Sequence, residues 1–425
     1  MNEPRRLTII TQNELDAVVR KHAMFRAARM GGARAVLAYH DLSQLSLVGQ
    51  DLSHADLTGA LLFQTDMRDA RLDYAVLFGA DLRQANLQSA SLVRADMRGA
   101  CVRGALLANA DLTGVDLREG VIAGKDGSQR SHDDIDTAAP EDVRGADFSG
   151  ANLTQASLSG AIAINGDFSD TTMRGCRLIR ANLQGARFEG ANLENADLSM
   201  CDLRQANLRG AIMVNVSMSL ANLTDADMAG ALTDKPVGLT VKDLPVPLET
   251  MMARHALWLE SGGKDGKRLD LSRYDLRRTT SFARANLTMM CAEGAMLYGV
   301  DFSDAQLQAA DFRAADLRHA DLMAADLRGV DFRNARLNNI SFQGAQLQPL
   351  VLTGGRVMVS DFSGVALRYA NLSGACLRQI NLRGADLSFT NLLGCDLTGA
   401  DLTAAKLEGA KLNPSQQALL KAQTG

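Results

Sequence analysis

Ala55-Asp56-Leu57-Thr58-Gly59, Ala60-Leu61-Leu62-Phe63-Gln64, Thr65-Asp66-Met67-Arg68-Asp69, Ala70-Arg71-Leu72-Asp73-Tyr74: the chain here counts in fives. The third residue of each five, called here the centre, is large and apolar; the residue two before it is small. Centres run from Leu37 to Ile122, from Val143 to Met228 and from Phe282 to Leu412, which is 18, 18 and 27 fives. All 63 centres are apolar, and Ala stands two before the centre in 39 of them. The remaining three places are mostly Asp, Asn, Arg, Ser, Thr, Gln and Gly. A period of five fits neither a helix, which would smear the apolar residues round its surface, nor a simple alternating strand. It fits a chain that turns a corner once per five, with one large and one small side chain inward and three polar ones in water.

This pattern resembles the pentapeptide-repeat family, whose motif is A(D/N)LxX. The resemblance implies an all-β solenoid, a right-handed quadrilateral parallel β-helix with four repeats per coil. Residues 20 apart should then stack. Phe148, Phe168 and Phe188 share one such register; Phe282, Phe302, Phe342 and Phe362 are assigned a second, and Phe312 and Phe332 a third. The Ala positions follow from walls that approach closely across a narrow lumen, where a larger side chain would overpack.

The breaks in the count set the domain organisation. Ala123 to Asp142 is rich in Gly, Ser and Asp, contains Pro140, and reads as a loop thrown from a corner. Asp126, Asp133, Asp134, Asp136, Glu141 and Asp142 oppose only Lys125 and Arg130 there, and these acids are the candidate interaction site. The loop's net charge of -4 equals that of the whole chain, so the rest sums to zero.

Two segments break the repeat with helical spacing. Thr11-Gln12-Asn13-Glu14 is a capping box, followed by an apolar stripe of Leu15, Val18, Val19, His22 and Phe25, with Gly31-Gly32 as its expected end. Pro247 is placed in a first helical turn, followed by Leu248, Met251, Met252, His255, Trp258 and Leu259, with Gly262-Gly263 as the end. The segments match: His22-Ala23-Met24-Phe25 answers His255-Ala256-Leu257-Trp258, and Gly32, Arg34, Leu37, Asp41 and Leu42 answer Gly266, Arg268, Leu271, Asp275 and Leu276. The expectation is two solenoids, each preceded by a short amphipathic capping helix that hides apolar lumen and open backbone. Its boundaries are 1–36 (N-terminal segment with helix), 37–232 (first solenoid), 233–268 (linker and second helix), 269–412 (second solenoid) and 413–425 (tail). After Leu276 the register gains one residue before Phe282.

The chain has 425 residues, of which 46% are apolar and 4% aromatic, so it can fill a core with aliphatic side chains. The net charge argues against direct nucleic-acid binding. Only Leu7 to Ile10 is apolar near the start and no run of 18 apolar residues occurs, so neither a secretory signal nor a spanning helix is expected, and the location expected is cytoplasmic. Cys101, Cys176, Cys201, Cys291, Cys376 and Cys395 form no CxxC and read as reduced, packed thiols. Asp56, Asp81, Asp111, Asp311, Asp316, Asp321 and Asp326 recur before centres as repeat grammar, without the unlike environments that an acid–base pair needs.

His22 and His255 lack a neighbouring His or Cys and read as histidines that hydrogen-bond the first coil; Trp258 reads as an anchor of the second helix. Ser261 to Arg268 lacks the leading Gly and final Ser/Thr of a phosphate loop. No catalytic, cofactor or metal site is expected. The function expected is a non-enzymatic protein–protein interaction scaffold, with a homodimer through the terminal caps as one arrangement. The alternative, which the resemblance alone implies, is a DNA-mimic regulator or protector of a type II topoisomerase, DNA gyrase.

Overall fold

A computed structural model describes residues 7–118, 122–123, 129–130, 145–277 and 281–417. The chain separates into two compact units, Met1–Lys235 and Pro236–Gly425. The first contains β1 (Thr8–Ile9), α1 (Gln12–Arg26), β2 (His40–Asp41), β3 (Ile122–Ala123) and β4 (Gln129–Arg130). The second contains β5 (Leu239–Thr240), α2 (Leu248–Glu260), β6 (Tyr274–Asp275), β7 (Leu350–Val351) and β8 (Val357–Met358).

In both units the repeats form parallel β coils. Asp41 bridges Leu61, Ser46 bridges Asp66, Asp51 bridges Arg71 and Asp56 bridges Val76; four bridges complete one coil, and each joins residues 20 apart. The backbone explains the composition of the five. In the repeat centred on Leu57, Leu57 N–H and Gly59 N–H donate to Val76 and Phe78 of the next coil, and Ala60 N–H closes a turn onto Leu57. Leu61 N–H donates back to His40. The remaining donor, Thr58 N–H, is taken by the Asp56 carboxylate at 3.1 Å. Buried or half-buried N–H groups favour pairing, which is met in most fives by a short side-chain acceptor on the residue before the centre, though Leu61, Val76 and Leu106 hold that place without one. Asp and Asn fit, and the same bond recurs where the N–H groups of Ser53, Thr154 and Thr403 donate to the side-chain oxygens of Asp51, Asn152 and Asp401.

The lumen is filled as the pattern requires. Leu57, Leu62, Leu87, Leu317 and their neighbouring Ala residues are fully buried, and each Leu contributes roughly 1.5–3 kcal/mol by leaving water. Phe148, Phe168 and Phe188 stack with ring centroids 4.9 Å apart and planes within 6°. Phe282 on Phe302 and Phe312 on Phe332 do likewise at 5.2 Å.

Insertions depart from the count. Leu106 bridges Asp147 and Asp111 bridges Asn152, each 41 apart, so one coil of the first unit carries 21 extra residues. Ile122, expected as a centre, instead lies in β3 and pairs antiparallel with Arg130 of β4. In the second unit Asp270 bridges Cys291, 21 apart, which is the gained residue. The third run is not continuous: Asp331 bridges Asp361 and Gln346 bridges Cys376, each 30 apart. The ten extra residues form the antiparallel β7–β8 hairpin, with Leu350 opposite Met358 and Val351 opposite Val357. Leu352 and Val357, counted as centres, are therefore exposed. Phe362 sits 4.8 Å from Phe332, in the third Phe register rather than the second. An insertion of two whole fives keeps the arithmetic phase while moving every later residue by two sides, which is why counting missed it.

Both helices sit on the first coil of their own unit, and the internal match extends to hydrogen bonds. Leu15 and Val19 of α1 join the apolar cluster containing Leu37 and Leu42, and Leu248 of α2 joins that of Leu269 and Leu271. The Thr11–Glu14 capping box is present. Helix α1 ends at Arg26, five residues before Gly31, because the chain must turn back: Ala33 N–H donates to Lys21 C=O, and a Cβ on Gly32 would lie 2.3 Å from Phe25 N. Its counterpart is the same: Lys267 N–H donates to Arg254 C=O, and a Cβ on Gly266 would lie 2.2 Å from that carbonyl oxygen. Pro247 is the N-cap of α2 rather than its first residue. Parallel pairs β1–β2 and β5–β6 add a further strand to each first coil. At the other end of the second unit, Gln416 Nε2 donates to the Leu392 and Cys395 carbonyls at 2.7 and 3.1 Å.

Candidate interaction surfaces

The walls are charged but self-neutralising. Residues flanking an inward centre point outward side by side. Where Asp and Arg flank the centre, as in Asp96-Met97-Arg98 and Asp331-Phe332-Arg333, the guanidinium folds back onto the carboxylate. Arg98 Nε and Nη2 donate to Asp96 Oδ1 and Oδ2 at 2.8 and 2.7 Å, and Arg333 does the same with Asp331. Ten such forks stand among the described residues. The hydrogen bonds from Arg68, Arg204 and Arg313 hold the carboxyls of Asp66, Asp202 and Asp311 below the ordinary carboxylate range. The acids singled out in the repeats thus serve backbone and charge balance.

Against these polar walls the β7–β8 hairpin differs in kind. Its sequence, Leu350-Val351-Leu352-Thr353-Gly354-Gly355-Arg356-Val357-Met358-Val359, holds one charge. Gly354 and Gly355 take φ of +83° and +74° to make the tip. Leu350 and Met358 pack over Gly329, where a Cβ would come within 3.1 Å of both. Val351 is 70% exposed and Val357 56%. Because paired residues alternate between bonded and non-bonded partners, and Leu352 N–H donates to Arg356 C=O at 2.8 Å, the amides of Val351 and Val357 point away from the partner strand. Sequence counting missed this surface; its signal was the apolar, β-branched filling of places that are polar elsewhere.

The acids Asp126, Asp133, Asp134, Asp136, Glu141 and Asp142 lie outside the described residues. In the first unit, a shallow groove of about 580 Å³ is lined by Asp116, Arg118, Gln155, Arg177 and Arg180 among others; Arg118 is forked to Asp116, which leaves Arg177 and Arg180 as the groove's cationic groups. Burial pushes the thiols of Cys201 and Cys395 up to about 11 and that of Cys176 higher still, so these three are poor nucleophiles. Among the described residues no group of three His, Cys, Asp or Glu could hold a metal ion, and no helix is long and apolar enough to cross a membrane.

A family model described as pentapeptide repeats matches residues 33–69, 70–107, 142–178, 173–210, 201–231, 280–322, 305–344, 360–384 and 380–413, well over half of the chain. The chain belongs to the pentapeptide-repeat family. The matches skip 345–359, which holds the β7–β8 hairpin, and 108–141, which holds most of the first insertion. Among solved structures, this pentapeptide-repeat protein is similar to HetL, a pentapeptide repeat protein involved in heterocyst differentiation regulation from the cyanobacterium Nostoc, at 23% identity over 94% of this chain and 95% of that one, with a TM-score of 0.20. It is similar to full-length QnrB1, a plasmid-mediated fluoroquinolone resistance protein, at 16% identity over 63% and 97%, with a TM-score of 0.21. A third, from the thylakoid lumen of Arabidopsis thaliana, is 30% identical over 30% and 75%, with a TM-score of 0.16. The comparison with curated proteins found no match.

Proposed function

We propose that this pentapeptide-repeat protein is a non-enzymatic interaction scaffold made of two right-handed quadrilateral β-helices, each closed at its N-terminal end by an amphipathic helix. The observation that carries this reading is the exposed apolar hairpin Leu350–Val359 on walls where Asp–Arg forks pair charge within single repeats. Large exposed apolar side chains set in a polar surround mark contact surfaces. The acids Asp126, Asp133, Asp134, Asp136, Glu141 and Asp142 are proposed as a second contact of opposite, charged character.

The test is affinity capture with the full chain, with 350–359 removed, and with 124–141 removed. A partner retained by the full chain and lost from one deletion assigns that insertion. Equal retention by both variants would overturn it. A DNA-mimic reading, directed at a type II topoisomerase such as DNA gyrase, needs acidic charge left uncompensated at a density of about one per 1.7 Å of axis. The Asp–Arg forks put a counter-charge in the same repeat, which disfavours it. Inhibition or protection in a gyrase supercoiling assay would reverse that judgement.

A further inference from the structure

The two buried histidines are not used by the scaffold's walls, yet they occupy equivalent places. His22 in α1 and His255 in α2 are 0% and 1% exposed. His22 Nδ1 accepts a hydrogen bond from Ala35 N–H at 3.1 Å, and His255 Nδ1 accepts one from Leu269 N–H at 3.1 Å. These donors lie in the segment that returns from helix to coil, just past Gly32 and Gly266. An Nδ1 that accepts from an amide carries no proton, so the ring is neutral with its hydrogen on Nε2. In α1 that Nε2–H donates to Ser53 C=O at 3.1 Å, a carbonyl of the first full coil. In α2 the carbonyl that acts on the ring is that of Thr288, and His255 Nε2 completes no hydrogen bond. Phe25 and Trp258, three residues on, stack on the two rings at 6.0 and 5.8 Å.

We propose that His22 and His255 are acid-sensitive latches: protonation at Nδ1 destroys the buried hydrogen bond that ties the ring to the return segment, and each helix is released from its own unit. A protonated Nδ1 would face the Ala35 or Leu269 N–H donor to donor, a clash that only separation relieves. The surroundings add to this. Burial lowers the basicity of His22, opposed by the Ser53 carbonyl and Asp51 and assisted by Arg26 and His54. Arg26 is itself 3.6 Å from Asp51, and Arg34 in the return segment is 3.9 Å from Asp56, so both acids near this ring already have cationic partners. Burial likewise lowers the basicity of His255, against the Thr288 carbonyl and with help from Arg268. The other charged residues of α2 and its return segment are Glu249, Arg254, Glu260, Lys264, Asp265, Lys267 and Asp270.

The sign follows from linkage. A histidine held neutral in the closed form and ordinary in the released form contributes its full stability above the ordinary value near 6.5. That contribution is lost as pH falls below this value toward the lowered one of the closed form. In this window the opening equilibrium rises by about tenfold per pH unit for a single latch.

The experiment is hydrogen exchange with mass spectrometry on the full chain between pH 7.5 and 5, each rate divided by the intrinsic rate at that pH. The expected result is opening of 12–26 and 248–260 that grows about tenfold per unit below about pH 6.5, while coils such as 160–212 and 300–345 keep their protection. His22→Asn keeps an acceptor where Nδ1 stood and cannot titrate; it should flatten the response of 12–26 alone and leave that of 248–260, and His255→Asn should do the reverse. A flat profile in the unmodified protein, simultaneous opening of the coils, or an unchanged response in the Asn variants would each overturn the latch.

Discussion

The residue two after each centre takes a left-handed backbone conformation in repeat after repeat, and in many it is not glycine. Ala314 sits at φ +56° and still donates its N–H to Arg333 C=O at 3.0 Å. Its Cβ costs about 1–2 kcal/mol in that region, whereas Gly loses about 0.4–1 kcal/mol through the freer unfolded chain. Ala314→Gly should therefore raise stability, by up to about 1.6 kcal/mol on these figures. Gly49→Ala, at φ +66° with open space around the new methyl, should lower it by a similar amount. Denaturant melts of the two variants check both signs. The residue before the centre can be tested in the same way. Asp96→Asn keeps the oxygen that accepts Arg98 N–H and loses only an exposed fork, worth little. Asp96→Ala leaves that N–H to water or to nothing, and should cost up to about 1 kcal/mol more than the Asn variant.

At the scale of elements, coils, helices and loops were unequally legible. The coils were readable because every five repeats the demand for a large apolar centre, and most fives add a small residue two before it and an accepting side chain just before it. The helices were readable from apolar spacing and a capping box, but not the end of α1. That end is set by where the chain must cross back over its own helix at Gly32 rather than by the first glycine reached. Of the candidate site, the acidic insertion announced itself by breaking the count. The hairpin did not, because ten residues preserve the phase and Leu352 and Val357 pass for centres. Its closure gives a prediction. Removing 350–359 joins Pro349 to Ser360 and places Phe362 five residues after Leu347. It also brings Ser341 and Asn371, now 30 apart, back to the 20-residue spacing of the other bridges. The deletion should fold, with a melting temperature within a few degrees of the parent. Collapse of the second unit would show that the hairpin is structural rather than an appendage. Gly266→Ala, with its Cβ driven to 2.2 Å from the Arg254 carbonyl oxygen, should instead loosen α2, seen as faster exchange in 248–260.

For the molecule as a whole, each unit has its own apolar cluster, and coils contact only their neighbours within it. Leu317→Asp puts a charge into a fully buried lumen, at a cost of several kcal/mol. It should abolish exchange protection in coils around 300–345 while 40–115 stays protected. Acid should act in two stages. Carboxyls such as Asp66, Asp202 and Asp311, held below their ordinary value, contribute stability that is complete above about pH 4 and fades below it. The coils should thus outlast the helices by about two pH units, as circular dichroism and exchange followed together would show. Finally, the 20-residue spacing of the bridges makes each unit a ratchet in which gene duplication has two distinct gears. Copying twenty residues adds one storey, about 4.8 Å of height, with every downstream feature still facing the way it did. Copying five leaves the packing intact but swings everything that follows onto the adjoining side, so a single short duplication can re-aim a binding arm without touching its sequence.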